Sequence, residues 1–251
     1  MASEVSTAAV LIIGDEILSG RTQDTNLNAI ARYLGTFGVD LKEARVVGDL
    51  EDEIVAAVNA LRSRYDYVIT TGGIGPTHDD ITADCVAKAF GVALYEHPEI
   101  LAMMTARFGD QLNAARRRMA RVPEGGSLVK NPVNGPPGFQ IGNVFVLAGV
   151  PQIMRGMLED VGHRLKSGAV VISRTVRIDG SGEGAIAAPL EAVANAHPTL
   201  SLGSYPFFSA EGYGSNLVIR GRDPAEVDAT VAELTHALRG AGVSQITEVE
   251  G

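Results

Sequence analysis

The chain has 251 residues, 45% hydrophobic and 20% charged, enough for one large globular domain or two modest ones. Twenty-one Lys and Arg against thirty Asp and Glu give a formal charge of −9, which disfavours nucleic-acid backbones, and 5% aromatic content without Trp disfavours base stacking. One cysteine, Cys85, excludes an intrachain disulfide and a cysteine-rich zinc site, and no apolar run reaches the ~18 residues of a membrane span.

The opening residues carry Glu4 where a secretory leader would carry basic residues, so a cytoplasmic protein is expected. Ala8–Ile13 is a continuous apolar run ending at Gly14, the pattern of a strand buried on both faces. A helix follows, with Leu27, Ile30, Ala31 and Leu34 on one face, and then a strand over 39–47. Asp49 is the candidate N-cap of a second helix with the stripe Ile54, Val55, Val58 and Leu61. Residues 66–71 form another buried strand running into a glycine-rich loop, and a helix with Ala83, Val86, Ala87 and Phe90 inward stops at Gly91. Helices are expected over 98–108 and 111–121. Gly142-Asn143 between two apolar runs signals a two-residue hairpin. Gly149-Val150-Pro151 opens a helix carrying Ile153, Met154, Met157, Leu158 and Leu165.

This alternation predicts a three-layer α/β/α domain with a mostly parallel sheet over residues 1–168. Beyond it, a strand over 169–178, a helix over 183–196, strands near 200–205 and 215–220 and a helix from Asp223-Pro224 predict a small α+β domain over 169–251. That second domain is expected to serve as an interface for a homo-oligomer, a dimer or trimer.

The segment Thr71–Asp84 carries the chemistry: a strand end, a glycine turn and a helix start. In parallel α/β sheets, ligands bind at the carboxyl ends of strands. Gly72, Gly73 and Gly75 let the backbone approach a ligand and aim amides at it, and a helix N-terminus favours phosphate. The loop lacks the Gly-Lys-Ser/Thr ending of a Walker A loop and the third glycine of a dinucleotide fingerprint. Of Asp79 and Asp80, one is expected to cap the helix and the other to face the pocket. An acid facing a phosphate requires a cation between them, which points to Mg²⁺ or a similar hard ion held by Asp79 and Asp80.

The run Thr71–Thr82, with Gly72-Gly73-Ile74-Gly75-Pro76-Thr77-His78-Asp79-Asp80, resembles the signature of the molybdopterin-binding domain superfamily. Within it the chain is similar to the competence/damage-inducible protein A family and to the N-terminal domain of animal FAD synthase. Ile13–Gly20 with Asp24-Thr25-Asn26, Val46–Asp49, Asn131-Pro132 through Gly138, and Leu147–Pro151 resemble the other strand-end loops, in the right order. The likeness covers about 1–165. It continues more weakly through Gly182-Glu183 and Gly203–Pro206.

The resemblance implies a ligand carrying a pterin or a nucleotide, and a pyrophosphatase using Mg²⁺ or Co²⁺, with K⁺ as an accessory ion, on ADP-ribose or FAD. It also implies two alternatives: binding of molybdopterin or its adenylated form, and a non-catalytic binding module. His78 stands where many bacterial competence proteins have Lys, and in this the chain is more similar to FAD synthase. The amidohydrolase and flavin-adenylating domains of longer relatives have no counterpart here.

Further candidates follow from strand-end position. Asp15 and Glu16, after Gly14, could add acid to the metal, contact ribose hydroxyls or simply form a capped loop. Asn26 could contact ligand or cap a helix. His78 and Asp80 are the candidate catalytic groups, His78 because imidazole titrates near neutrality. Arg116, within the one basic cluster, falls where the competence family has a similar Asn-x-x-Arg segment, which implies a phosphate contact. Asn131 and Gly138 bound a rigid loop over the pocket, and the helix start at Gly149 and Pro151 offers a second phosphate position. Two such positions suit a pyrophosphate. Cys85 reads as a small buried thiol.

Overall fold

The computed structural model describes residues 5–210 and 212–249; the opening residues read above for a leader lie largely outside this range. The chain divides into two compact units, Met1–Gly168 and Ala169–Gly251.

The first unit runs β1 (Thr7–Ile13), α1 (Asp15–Leu18), α2 (Asn26–Thr36), β2 (Asp40–Val47), α3 (Glu51–Arg62), β3 (Tyr67–Thr71) and α4 (Thr82–Phe90). It continues through β4 (Leu94–Glu96), α5 (Pro98–Phe108), α6 (Ala114–Arg118), β5 (Arg121–Pro123), β6 (Ser127–Val129), β7 (Gly138–Ile141), β8 (Val144–Leu147) and α7 (Pro151–Val161). The main sheet has the order β2-β1-β3-β8-β7-β6. Its first four strands are parallel, and β7 and β6 are antiparallel to their neighbours.

Why β1 lies inside the sheet, between β2 and β3, is written in its sequence. Every residue from Ala8 to Ile13 is at most 4% exposed, so the run has no polar face to offer water. Alternate side chains feed two cores. Ala9, Leu11 and Ile13 pack with Ile54, Val58, Leu61 and Val86 from α3 and α4. Ala8, Val10 and Ile12 pack with Ile30, Leu34, Met154 and Leu158 from α2 and α7. Each large side chain so buried contributes about 1.5–3 kcal/mol relative to exposure. The result is the three-layer arrangement with a mainly parallel sheet.

The Gly142-Asn143 hairpin forms, pairing Ile141 with Val144, and Gly91 ends α4 in the left-handed conformation. Several expectations need correction. Asp49 does not cap α3: the cap position is Leu50, without a side-chain bond, and Asp49 accepts from the Asp15 amide at 3.0 Å instead. Residues 111–121 are not one helix. Asn113 caps a new turn by accepting from the Arg116 amide, α6 ends at Arg118, and Arg121 already pairs as strand with Glu96. Neither Asp79 nor Asp80 caps α4, whose cap position is Ile81 with no side-chain bond. Helix α7 ends at Val161, so buried Leu165 lies beyond it.

The second unit runs β9 (Ile172–Asp179), α8 (Glu183–Ala196), β10 (Ser201–Ser209), β11 (Gly212–Gly221), α9 (Pro224–Gly240) and β12 (Ile246–Val249). Its sheet order is β10-β11-β9-β12, antiparallel at every pairing. Val176, Ile178, Leu217 and Ile219 from the strands share one core with Ile186 and Val193 of α8 and Val227, Leu234 and Leu238 of α9. Asp223 caps α9 by accepting from the Ala225 amide at 2.9 Å. β12 has no counterpart in the sequence reading. Among the described residues, no helix is long and apolar enough to cross a membrane.

Candidate functional site

The chain leaves β1 to β2 on one side and reaches β3 on the other side of β1. That reversal opens a crevice beyond the carboxyl ends of β1 and β3, the usual ligand position in such sheets. The loops after β1, β3 and β8 meet there.

The loop after β3 can take its path only with glycine. Gly72 has φ 107°, and a Cβ on it would lie 2.0 Å from the Ile13 carbonyl oxygen. Gly73 has φ 65°, and a Cβ there would lie 2.2 Å from Thr82 Oγ1. Thr82 Oγ1 donates to the Gly72 carbonyl at 3.0 Å, and the Thr82 amide to the Gly73 carbonyl at 3.0 Å, closing the turn. Among the described residues, no acceptor lies on the amides of Gly73, Ile74 and Gly75. The same holds for Gln152 and Ile153 in the first turn of α7, after Pro151. The glycine loop after β3 and the first turn of α7 therefore both present free amides.

Asn26 fastens these loops together. It is buried, and its Nδ2 donates to Thr71 Oγ1 at 2.9 Å and to the Gly149 carbonyl at 2.8 Å. Thr71 Oγ1 in turn donates to the Ala148 carbonyl at 2.9 Å. Asn26 is not a cap. Asp24 fills that role, accepting from the Asn26 and Leu27 amides.

A cavity of about 620 Å³ opens at this junction. Gly72, Gly73, Gly75, Gly149 and Pro151 line it, together with Asn131 from the loop before β7. Two carboxylates, Glu16 and Asp80, also line it. Phe108, Met119, Ile74, Ile153 and Met157 form an apolar side. Asp80 accepts from the Thr77 amide at 2.8 Å and from the Thr77 hydroxyl, which fixes one of its oxygens.

The remaining predicted residues do not line the cavity. Gly14 donates its amide to the Val47 carbonyl. Asp15 and Asp49 exchange bonds between backbone amide and carboxylate, at 3.0 and 3.4 Å. Burial pushes the Asp49 carboxyl above the usual Asp range, and the charges of Asp15, Glu16 and Asp79 add to that. Thr77 serves Asp80. His78 stands in solvent, 96% exposed, with Nδ1 3.8 Å from Asp79. Gly138 sits in β7, where a Cβ would lie 2.3 Å from the Val146 carbonyl oxygen. Arg116 stacks on the Phe108 ring at 4.5 Å and donates to the Gln111 carbonyl. Two of its basic neighbours are paired internally, Arg117 with Glu96 and Arg121 bidentately with Asp84. Cys85 is buried, and its thiol is pushed up to about 12, chiefly by desolvation.

The cation that does line the cavity is Arg107, which sequence reasoning passed over as part of a helix end. It donates to Asn134 Oδ1 of the loop over the cavity. No spacing in the sequence marks it, because the fold brings the end of α5 to the loop 131–136.

Among the described residues, no three His, Cys, Asp or Glu side chains are grouped to hold a metal by themselves. The donor set suits a different mode. Mg²⁺ commonly takes one or two carboxylates and completes its shell with water and ligand phosphates. Glu16 and Asp80, which both line the cavity, supply such carboxylates, with Asp79 outside it.

Residues 9–167 match the family described as "Probable molybdopterin binding domain". The chain belongs to this molybdopterin-binding domain family. Residues 170–246 match a second family, described as "FAD synthase, middle domain". A CinA-like protein of Gemmatimonas aurantiaca is 38% identical over 193 residues, 71% of this chain and 45% of that protein. A protein of Archaeoglobus fulgidus is 31% identical over 229 residues, 91% of this chain and 96% of its own length. The crystal structure of CinA from Thermoplasma acidophilum superposes with a TM-score of 0.60 at 35% identity, covering 63% of this chain and 98% of that one. The chain thus spans about half the length of CinA-like relatives such as the Gemmatimonas protein.

Proposed function

We propose that this family member binds a pyrophosphate-containing nucleotide in the crevice beyond β1 and β3 and hydrolyses its phosphoanhydride bond with a divalent cation, Mg²⁺ or Co²⁺. FAD and ADP-ribose are the candidate substrates. One observation carries the reading: free amides of the glycine loop and of the first turn of α7 share one cavity with the carboxylates of Glu16 and Asp80. Amides alone would suit a bare anion. Carboxylates beside them suit an anion that arrives with a cation.

In this reading the amides of Gly73, Ile74 and Gly75 hold one phosphate, and the first turn of α7 holds the other. Glu16 and Asp80 hold the cation, which supplies charge neutralisation on the phosphate oxygens and a more acidic bound water. Thr77 keeps the Asp80 carboxylate in place. Arg107 adds positive charge at the cavity edge. The apolar side with Phe108 and Met119 receives a planar ring. Asp80 is the better placed of the two candidate catalytic groups, since His78 points to solvent.

The test is product analysis by chromatography after incubation with FAD, ADP-ribose, NAD and coenzyme A, with Mg²⁺ or Co²⁺ and K⁺. AMP released by the wild type and lost in Asp80→Asn supports the reading. A folded, metal-supplied protein that yields no product from any of the four overturns hydrolysis. Binding of molybdopterin with no turnover would then make the same amides a pterin-phosphate site.

A further inference from the structure

The glycines of the loop after β3 do not all answer to the same need. Gly72 and Gly73 take positive φ, which favours glycine by itself. Gly75 does not, so the path of the chain gives no reason for a glycine there.

The space beside Gly75 gives one. A Cβ on it would lie 2.6 Å from Asp80 Oδ2, 3.0 Å from Oδ1 and 3.1 Å from Cγ. The Asp80 carboxylate thus occupies the position a side chain would take. Thr77 ties Oδ2 through its amide, at 2.8 Å, and through its hydroxyl. Among the described residues no hydrogen bond goes to Oδ1, which leaves that oxygen for a ligand of its own. Glu16, the other carboxylate lining the cavity, is seated in the same manner. A Cβ on Gly14 would lie 2.5 and 2.7 Å from its two carboxylate oxygens. Asp15 shows the contrast. It rests on Gly48, where a Cβ would lie 2.5 Å from Oδ1, but that oxygen accepts from the Asp49 amide and serves the turn.

We propose that Gly75 is a positioning residue for the cation: its missing side chain is the seat that lets Asp80 keep Oδ2 on Thr77 and hold Oδ1 toward the metal. The inference rests on the cation reading above and deepens it. Ordinary contact begins near 3.4 Å, so a Cβ on Gly75 would drive the carboxylate back by roughly 0.8 Å. Mg²⁺ demands near-ideal octahedral geometry at short bond lengths and tolerates such a shift poorly. The change leaves the Gly75 amide and both carboxylates in the chain. The atoms that must yield are the end of one side chain, so the fold accommodates it. Gly14 is the poorer place for a test, because its φ of 156° disfavours a side chain whatever lies beside it.

The test is calorimetric titration of the full chain with ADP-ribose, in Mg²⁺ and in EDTA. Wild type, Gly75→Ala, Asp80→Asn and the double variant are compared, with melting curves for each. In Gly75→Ala the gain in affinity on adding Mg²⁺ is expected to fall at least about tenfold, while affinity in EDTA stays within about twofold of wild type. Asp80→Asn is expected to lose the same gain. A residue that acts only through the Asp80 carboxylate adds nothing once that carboxylate is gone, so the double variant should lie within about twofold of Asp80→Asn. If Gly75→Ala keeps the full Mg²⁺ gain while Asp80→Asn loses it, or if the two losses add in the double variant, the seat is refuted and the cation site stands. A loss in EDTA as large as the loss in Mg²⁺ would set the Cβ against the ligand itself, and also refutes the inference. So does a Gly75→Ala chain that fails to fold, since the backbone rather than the carboxylate would then need the glycine. If Mg²⁺ does not strengthen binding to the wild type, the cation reading falls and takes this one with it.

Discussion

Replacing Asn26 with Ala tests the claim that one buried amide holds the site together. The side chain donates two hydrogen bonds, at 2.9 Å to Thr71 Oγ1 and at 2.8 Å to the Gly149 carbonyl. Its Oδ1 is buried and accepts none. A neutral hydrogen bond contributes about 0.5–1.5 kcal/mol net, so the two together give about 1–3 kcal/mol. Losing the buried acceptor without a donor weighs against the native side chain, and Ala is the better helix former at the start of α2. Thr71 keeps its own bond to Ala148, but the Gly149 carbonyl loses its donor. The balance is a destabilisation of about 2 kcal/mol. In a domain of this size that lowers Tm by about 4–8 °C.

The assay is urea and thermal unfolding followed by far-UV circular dichroism, since the chain has no Trp. Asn26→Asp is the paired control. It keeps the shape but replaces the donating Nδ2 with an oxygen, setting a carboxylate against the Gly149 carbonyl. It is expected to fall at least as far as Ala. An Asn26→Ala protein within about 0.5 kcal/mol of wild type, with Asp no worse, would refute the reasoning.

Further outcomes follow from the same geometry. Gly72→Ala forces a Cβ to within 2.0 Å of the Ile13 carbonyl oxygen at φ 107°, and is expected to cost on the order of 3 kcal/mol or to prevent soluble expression; a melting curve matching wild type would contradict it. Asp49 is raised by burial first and by neighbouring acids second. Its contribution to stability is therefore complete below the unfolded value of about 3.9 and is lost as pH rises through the higher folded value. Asp49→Asn is accordingly expected to be the more stable protein at pH 7, with the advantage vanishing below about pH 4; a variant less stable at pH 7 would overturn this. Asp66 runs the other way: the Thr7 amide and hydroxyl hold its carboxyl below the usual range. Its contribution is present above about pH 3.9 and lost as pH falls through the lower folded value, so Asp66→Asn should lose stability at pH 7 and little at pH 2.

Much of this was legible in the chain. The apolar run Ala8–Ile13 marked a strand inside the sheet, and the glycines after Thr71 marked a tight turn at a strand end. The Gly142-Asn143 pair marked the β7–β8 hairpin. The segment 94–129 was the hardest to read. β4, β5 and β6 have three residues each, too short for a period to show. Leu112 and Met119 stand seven apart and imitate a helical stripe, while Asn113 starts a fresh turn between them. β12 is a mostly exposed edge strand, so no buried face marked it. Among the residues that line the cavity, the glycines, Glu16 and Asp80 could be read from strand-end position. The roles of Asp49, Asp24 and Arg107 could not. Each depends on which loop the fold brings alongside, and that is a tertiary fact.

The central claim is that Glu16 and Asp80 hold a cation against phosphates seated on the glycine-loop amides. Calorimetric titration of ADP-ribose into wild type and Glu16→Gln, each with and without Mg²⁺, tests it most directly. The account predicts wild-type binding that depends on Mg²⁺ and weakens at least about tenfold in Glu16→Gln, a difference of about 1.4 kcal/mol. Equal affinity with and without the cation, or in the variant and the wild type, would contradict it.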